Sequence, residues 1–278
     1  MEDQPETELL FTEEEWNAAM PSLVTAMTTY LRPYRTAVFE DLGDHGQGWG
    51  SGSYLRLGDA VHLLTNEHVT RVRRSGRQLA YQFNGQDDIR RVVGNHREFP
   101  APLDLGLLPV HMPSWDNVSN GSKAITIDQI AMAHAPAPTE VLAFAGFAGQ
   151  RVSFNFGQLN AESTCYLARE VEVPEHHDID PRFHFALVYN PDLATTVVGS
   201  SRLPTPNGFS GSTVWDTGFV RAKMKKQLWT PDMARVTGVV WGWPSGAGSI
   251  VATRAEYVRS FLLGAVTPPA IPDSTGTA

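Results

Sequence analysis

The 278-residue chain carries 42% hydrophobic and 19% charged residues and a formal net charge of -8, from 22 Lys+Arg against 30 Asp+Glu. That balance excludes a disordered or membrane-embedded chain, and the acidic surplus argues against adhesion to nucleic acid or an anionic lipid surface. The length suits a large all-β enzyme built as one catalytic unit.

The first residues, MEDQPETELLFTEEEW, are acidic where a secretory signal would be basic and then apolar. No apolar run approaches the roughly 20 residues that span a bilayer. The expected location is therefore the cytoplasm. Thr12 and Glu15 form a capping box, and Trp16, Met20, Leu23, Met27 and Leu31 recur at helical spacing, which predicts an amphipathic helix over 13–31. Pro21 is expected to kink or split it. From Ala37 onward the texture changes to short apolar alternations broken by glycine, at Leu55/Leu57, Leu79/Tyr81/Phe83, Val152/Phe154/Phe156 and Phe183/Phe185/Leu187/Tyr189. This is strand periodicity with frequent turns. AHAPAPTE at 133–140 reads as an extended linker between two comparable halves. Cys165, the only cysteine, excludes an intrachain disulfide, fits a reducing compartment and reads as a small core residue. A second capping box, Thr253 to Glu256, predicts a late helix to about Leu263, and TPPAIPDSTGTA reads as a loose tail.

NGFSGSTVW at 207–215 places Ser210 between an aromatic and a glycine, two residues past another glycine. Such a stretch is either a flexible turn or a nucleophile whose neighbours present bare backbone amides. A nucleophilic serine needs a base, and all nine histidines precede Ser210. The α/β-hydrolase elbow is thereby excluded, since it places its histidine after the serine and needs glycine where Ser212 stands. His68 follows the apolar strand Val61–Leu64 through a polar turn in HLLTNEHVTRV, which lifts it toward a cleft. Asp104 opens the apolar run of PLDLGLLPV, where an unpaired buried carboxylate would cost several kcal/mol, so a partner is expected.

LLTNEHV, DLGLL and GFSGS, in the order His, Asp, Ser, resemble the trypsin/chymotrypsin superfamily of serine endopeptidases. More narrowly they are similar to the bacterial branch whose histidine motif reads Thr-Asn-x-His-Val. GQGWGSGSYL at 46–55 resembles the strand entry before that histidine, and TGVVWGW at 237–243 resembles the strand that binds the substrate backbone. The resemblance spans roughly residues 37–264 and implies an all-β fold of two six-stranded antiparallel β-barrels. The implied organisation is an N-terminal helical extension (1–36), a first barrel with His68 and Asp104 (37–135), a second barrel with Ser210 and a C-terminal helix (136–264), and a flexible tail (265–278).

The resemblance further implies acyl transfer by a catalytic triad of His68, Asp104 and Ser210, with the amides of Gly208 and Ser210 as oxyanion hole. Val240, Trp241, Gly242 and Trp243 would bind substrate. No cofactor and no metal are implied, and the partner is a protein or peptide substrate rather than nucleic acid or membrane. Two departures stand out. Ser212-Thr213 replaces the common Gly-Pro after Ser-Gly, in side chains expected to lie behind the nucleophile. Phe209 replaces the aspartate that pairs with a freshly cut N-terminus in trypsin-like zymogens, which argues against proteolytic activation of that kind. Pro204 lies near the expected pocket base without an acid beside it, so an Arg or Lys preference is unsupported and a small or apolar one is expected.

Plainer readings are expected elsewhere. His176, His177, Asp178, Asp180 and His184 read as a solvated loop rather than a metal site, adjacent histidines being expected to diverge. Arg221, Lys223, Lys225 and Lys226 read as a soluble basic face. The N-terminal helix packs on the barrel, or, in a less favoured role, docks a regulatory protein partner. The alternative from another class is a pseudo-protease that binds peptides without cutting them. An esterase on the same scaffold is the third.

Overall fold

The computed structural model describes residues 11–43, 45–117, 119–155, 158–192, 194–197, 202–244 and 247–265. The described chain enters through α1 (Glu13–Leu31), where Thr12 accepts from Glu15 N and Glu15 accepts from Thr12 N, closing the expected capping box. The helix runs unbroken through Pro21, contrary to the expected kink or split. A mid-helix proline costs about 3 kcal/mol. Leu23, Met27 and Leu31 bury one stripe of the helix, at roughly 1.5–3 kcal/mol each, so packing outweighs the lost hydrogen bond.

The first half then contributes β1 (Arg35–Asp41), β2 (His45–Leu57), β3 (Ala60–Thr65), the helical turn α2 (Glu67–Thr70), β4 (Leu79–Gln82), β5 (Ile89–Arg91), β6 (Arg97–Phe99), β7 (Leu105–Pro109) and α3 (Met112–Asn117). The second half contributes β8 (Leu142–Asn155), β9 (Gln158–Ala168), β10 (Glu170–Val171), β11 (His184–Val188), β12 (Thr213–Asp216), α4 (Phe219–Met224), β13 (Arg235–Gly242), β14 (Ser249–Arg254) and α5 (Ala255–Leu262). His68 therefore stands on a short helix following the strand. The expected apolar alternations fall in β2 and β8 and on β4 and β11, with Phe83, Phe183 and Tyr189 flanking those two strands and Phe156 outside the described residues.

The two halves repeat one connectivity. In the first, β1 pairs with β2 and β4, β2 with β3, β3 with β7, β7 with β6, and β4 with β5. In the second, β8 pairs with β9 and β12, β10 with β11, β11 with β14, and β13 with both β12 and β14. The patterns coincide once β5 and β6 are taken as one interrupted strand, and β9 and β10, separated by Arg169 alone, as another. Hence each half has seven strands where six are expected, and each sheet is open at its interruption. β2 and β8 join the halves through His45↔Asn155 and Gly46↔Phe154.

The main cores follow from this arrangement. Tyr54, Leu63, Tyr81 and Leu108 fill the first barrel, and Phe144, Tyr189, Phe209 and Ile250 the second. A third core draws Leu64 and Leu105 from one half and Val141, Trp215 and Val239 from the other, with α1 and α5 packed against it. The apolar stripe of α1 is thus spent on the joint between the barrels.

The expected Thr253–Glu256 capping box does not form, and α5 has no side-chain cap. Thr253 Oγ1 instead donates to Leu103 O at 2.9 Å, and Glu256 Oε2 accepts from His134 N at 2.8 Å. The 133–140 segment connects the halves as a loop but is anchored, with His134 and Glu140 both buried. Of the basic stretch, Arg221 and Lys223 lie on α4, where Arg221 pairs with Asp216 at 2.7 Å. No helix among the described residues is long and apolar enough to cross a membrane. The predicted tail from 266 lies outside the described residues.

Candidate active site

The Asn66-Glu67-His68 turn ends β3, and β7 runs antiparallel to that strand with Thr65 opposite Gly106. This register sets Asp104, just before β7, against α2. Its carboxylate grips His68 twice, accepting from the main-chain N at 2.9 Å through Oδ1 and meeting ring Nδ1 at 2.6 Å through Oδ2. The acid is 7% exposed and the imidazole 34%. A carboxylate oxygen on Nδ1 holds the ring proton there and leaves the lone pair on Nε2. Asp104 adopts φ +50, a left-handed conformation uncommon for a residue with a side chain. Asn66 Nδ2 donates to its carbonyl at 2.7 Å, and its own amide donates to Pro100 O at 3.1 Å.

Ser210 comes from the second half and is docked on the first. Its carbonyl accepts from Ser51 N at 2.8 Å. A Cβ on Gly50 would lie 2.8 Å from Val69 Cγ2 and 3.2 Å from Ser210 O, so the serine backbone and the residue after His68 meet over Gly50. Among the described residues the Ser210 hydroxyl forms no hydrogen bond with His68, and bonds of this kind commonly tighten only with substrate in place.

The loop around Ser210 alternates bonded and free amides. Phe209 N donates to Pro206 O and Gly211 N to Val240 O, both at 3.0 Å, while among the described residues the amides of Gly208 and Ser210 have no partner. Gly208 (φ +101) and Gly211 (φ +90) make this turn, and a Cβ would meet Phe147 O at 2.6 Å and Ser51 O at 2.1 Å respectively. The reason for glycine at both positions is therefore steric as well as conformational. Ser51 Oγ donates to Gly208 O at 2.8 Å and accepts from Phe147 N at 2.9 Å. Phe209 is fully buried among Phe144 and Tyr189. Ser212 is buried, and Thr213 Oγ1 meets Ser53 Oγ at 2.9 Å, so both side chains point into the barrel joint.

A pocket of about 160 Å³ opens beside Ser210, lined by Pro206, Asn207, Gly208, Phe209, Val240, Gly242, Trp243 and Ile250, with no charged side chain in its wall. Of the expected substrate-binding residues, Val240, Gly242 and Trp243 meet there. The Trp241 side chain packs elsewhere, 5.6 Å from the His184 ring in a cluster with Ile179, Ala186 and Val251. β12 pairs with β13 only as far as Thr213↔Val239, and Val240 N then donates to Ser212 O at 2.8 Å. From Trp241 on, the β12-facing edge of β13 continues past the end of its partner strand, next to the Ser210 loop.

The His176–His184 group separates. The His176 and His177 rings lie 4.3 Å apart, tilted by 30°, rather than diverging, and with Asp178 they form an exposed group whose ligating atoms lie within 4.8 Å of one another. His184 is fully buried, and its Nε2 meets Pro102 O at 2.8 Å. Sequence reasoning missed Ser51, Asn66, His184 and Thr253, all of which hold the site from behind. Only the glycine-flanked serines of GSGS and the Asn within the Thr-Asn-x-His-Val motif carried a signal.

No family model matches the chain, and no curated protein does. Its likeness is to solved structures. Human heparin binding protein is 14% identical over 86% of this chain and 93% of that one, with a TM-score of 0.50. The active form of the Rv3671c protease from M. tuberculosis is 16% identical over 90% and 89%, at 0.47, and the MamO protease domain from Magnetospirillum magneticum is 11% identical over 85% and 97%, at 0.46. At these identities the likeness is one of fold. The likeness to human heparin binding protein, together with the repeated strand connectivity, identifies the trypsin-like double-barrel fold.

Proposed function

We propose that this chain is a serine endopeptidase that cleaves peptide bonds through an acyl-enzyme, with Ser210 as nucleophile, His68 as general base and acid, and Asp104 as the orienting carboxylate. The observation that carries the reading is the 2.6 Å contact of Asp104 Oδ2 with His68 Nδ1, on a carboxylate that also accepts from the His68 main chain. Ser210 Oγ attacks the scissile carbonyl as its proton passes to His68 Nε2. The new C–O bond forms, the carbonyl electrons move to oxygen, and the free amides of Gly208 and Ser210 are the donors for that oxyanion, worth a few kcal/mol in sites of this kind. Collapse breaks the C–N bond while His68 gives the proton to the leaving amine. Water then repeats the sequence and releases the acid. Asp104 remains ionised throughout and balances the imidazolium.

An extended substrate adds to the free edge of β13 at Trp241–Trp243, as strand addition allows. The side chain before the scissile bond enters the pocket walled by Ile250 and Trp243. Its small volume and uncharged wall favour a small aliphatic residue.

A fluorophosphonate probe tests the reading. We expect a stoichiometric adduct on Ser210, lost in Ser210→Ala, and cleavage of members of a proteome-derived peptide library. A native protein that stays unlabelled yet retains peptides would establish the binding module instead, and one that labels and hydrolyses activated esters but leaves every peptide intact would establish the esterase.

A further inference from the structure

Asp104 is held from the opposite barrel. Three successive carbonyls lead into and through this residue, and each accepts from a buried side chain. His184 Nε2 donates to Pro102 O at 2.8 Å, Thr253 Oγ1 to Leu103 O at 2.9 Å, and Asn66 Nδ2 to Asp104 O at 2.7 Å. His184, Thr253 and Asn66 are all fully buried. Asn66 belongs to the first half. His184 and Thr253 stand directly opposite each other in the β11–β14 ladder of the second. The register thus presents two donors side by side at the spacing of consecutive carbonyls.

The Pro102 carbonyl holds a proton on His184 Nε2, while Nδ1 lies 3.1 Å from both the amide N and the carbonyl O of Asp180, so that a neutral ring accepts from that amide and a doubly protonated one donates to that carbonyl. Burial favours the neutral ring. The charged and titratable groups facing it are Asp180 with its partner Arg182 from the preceding loop, Asp104 from the first half, and Arg254, whose Nε donates to His184 O at 3.0 Å.

We propose that His184 and Thr253 are positioning residues for Asp104. By fixing the carbonyls of Pro102 and Leu103 they hold the backbone in the left-handed turn at φ +50, and so aim the carboxylate at His68. The inference rests on the triad reading for its catalytic consequence, though its geometric content is independent of it. The second barrel accordingly supplies the nucleophile and also the brace of the acid, so a shift between barrels disturbs both partners of His68 together.

The test uses the full-length chain and two near-isosteric variants, Thr253→Val and His184→Phe, with His184→Gln as rescue because its amide can reach a carbonyl as Nε2 does. The first readout is the deshielded NMR proton of the short His68–Asp104 bond, which needs no turnover. We expect Thr253→Val and His184→Phe to weaken or shift it and His184→Gln to restore it. The second is kcat/KM against pH, per site titrated by fluorophosphonate. Each disrupting variant should lower kcat by about tenfold, the loss of roughly one buried hydrogen bond, with KM unchanged and the acid limb displaced. A merely structural role would reduce the titratable fraction and leave that limb in place. Folded Thr253→Val protein with an unaltered proton signal would overturn the proposal even if His184→Phe fails to fold. An unlabelled native protein with that signal lost in both variants would instead reject the triad and keep the brace.

Discussion

Replacing Asp104 with Asn removes one acceptor from a site that needs two. In the native arrangement one carboxylate oxygen accepts from His68 N at 2.9 Å and the other meets Nδ1 at 2.6 Å. An asparagine has one oxygen and one amide nitrogen. If the oxygen faces the main chain, the NH₂ donates to Nδ1, and the ring proton is driven to Nε2, which abolishes the base. If the oxygen faces the ring, the tautomer is correct but the NH₂ opposes the His68 main-chain N–H. At 5% exposure of Asp104 that amide is left without a partner at about 1–3 kcal/mol, and the unproductive orientation is favoured. Either orientation also removes the charge that balances the imidazolium. In serine proteases of the trypsin type, the same replacement of the orienting aspartate lowers kcat by about 10⁴, equivalent to roughly 5 kcal/mol. We expect the same order here, with KM changed by less than about threefold, read from initial rates on a cleaved library peptide and from the rate of fluorophosphonate labelling. An Asp104→Asn protein within tenfold of the native rate at neutral pH would refute the tautomer argument and with it the role of Asp104.

Ile250→Ala enlarges the pocket beside Ser210 and should shift cleavage toward Leu and Phe, since each added methylene in such a pocket is worth about 1–3 kcal/mol; an unchanged library profile would show that the side chain is not read there. Burial lowers the His184 pKa below 6.5, against the carbonyls of Pro102 and Asp180 and the nearby carboxylates of Asp180 and Asp104. As pH falls through 6.5 the unfolded chain takes up this proton first, so the stability it contributes is present above 6.5 and declines below it, by at most about 1.4 kcal/mol per pH unit. Urea midpoints from pH 7.5 to 5.5 should fall less steeply in His184→Gln than in the native protein, and parallel curves would contradict the assignment. Glu140 is buried and accepts from the amides of Val141, Val220 and Arg221 at 3.0, 2.9 and 3.0 Å. Glu140→Ala orphans all three and should cost about 3 kcal/mol, a fall of roughly 6–10 °C in Tm by calorimetry; a fall under 2 °C would mean that water replaces the carboxylate.

The residues proposed to do the chemistry stand out in the sequence because that chemistry demands particular types in a particular setting. Histidine after an apolar strand, an acid opening another, and serine flanked by glycines each leave a local mark. Glycine at 106 in DLGLL has an equally local appearance and a distant cause, since a Cβ there would lie 2.6 Å from Asn66 O and separate the Asp104 strand from the histidine turn. Seven strands stand in each half where six are expected because β5 and β6, like β9 and β10, are one strand of the repeated pattern broken by a short interruption.

The braces were illegible for a reason that the Thr253–Glu256 pair makes plain. Spacing alone assigns these two side chains to each other, and a local helix cap is worth about 1 kcal/mol. In the folded chain Thr253 instead satisfies Leu103 O, 150 residues away, and Glu256 satisfies His134 N, 122 residues away. The carbonyl at 103 belongs to a buried residue, and leaving it unpaired would cost about 1–3 kcal/mol, against about 1 kcal/mol for the cap. The larger penalty decides, and it falls on the segment that carries Asp104. A side chain drawn off a favourable local cap therefore marks a backbone that the fold cannot leave unsupported.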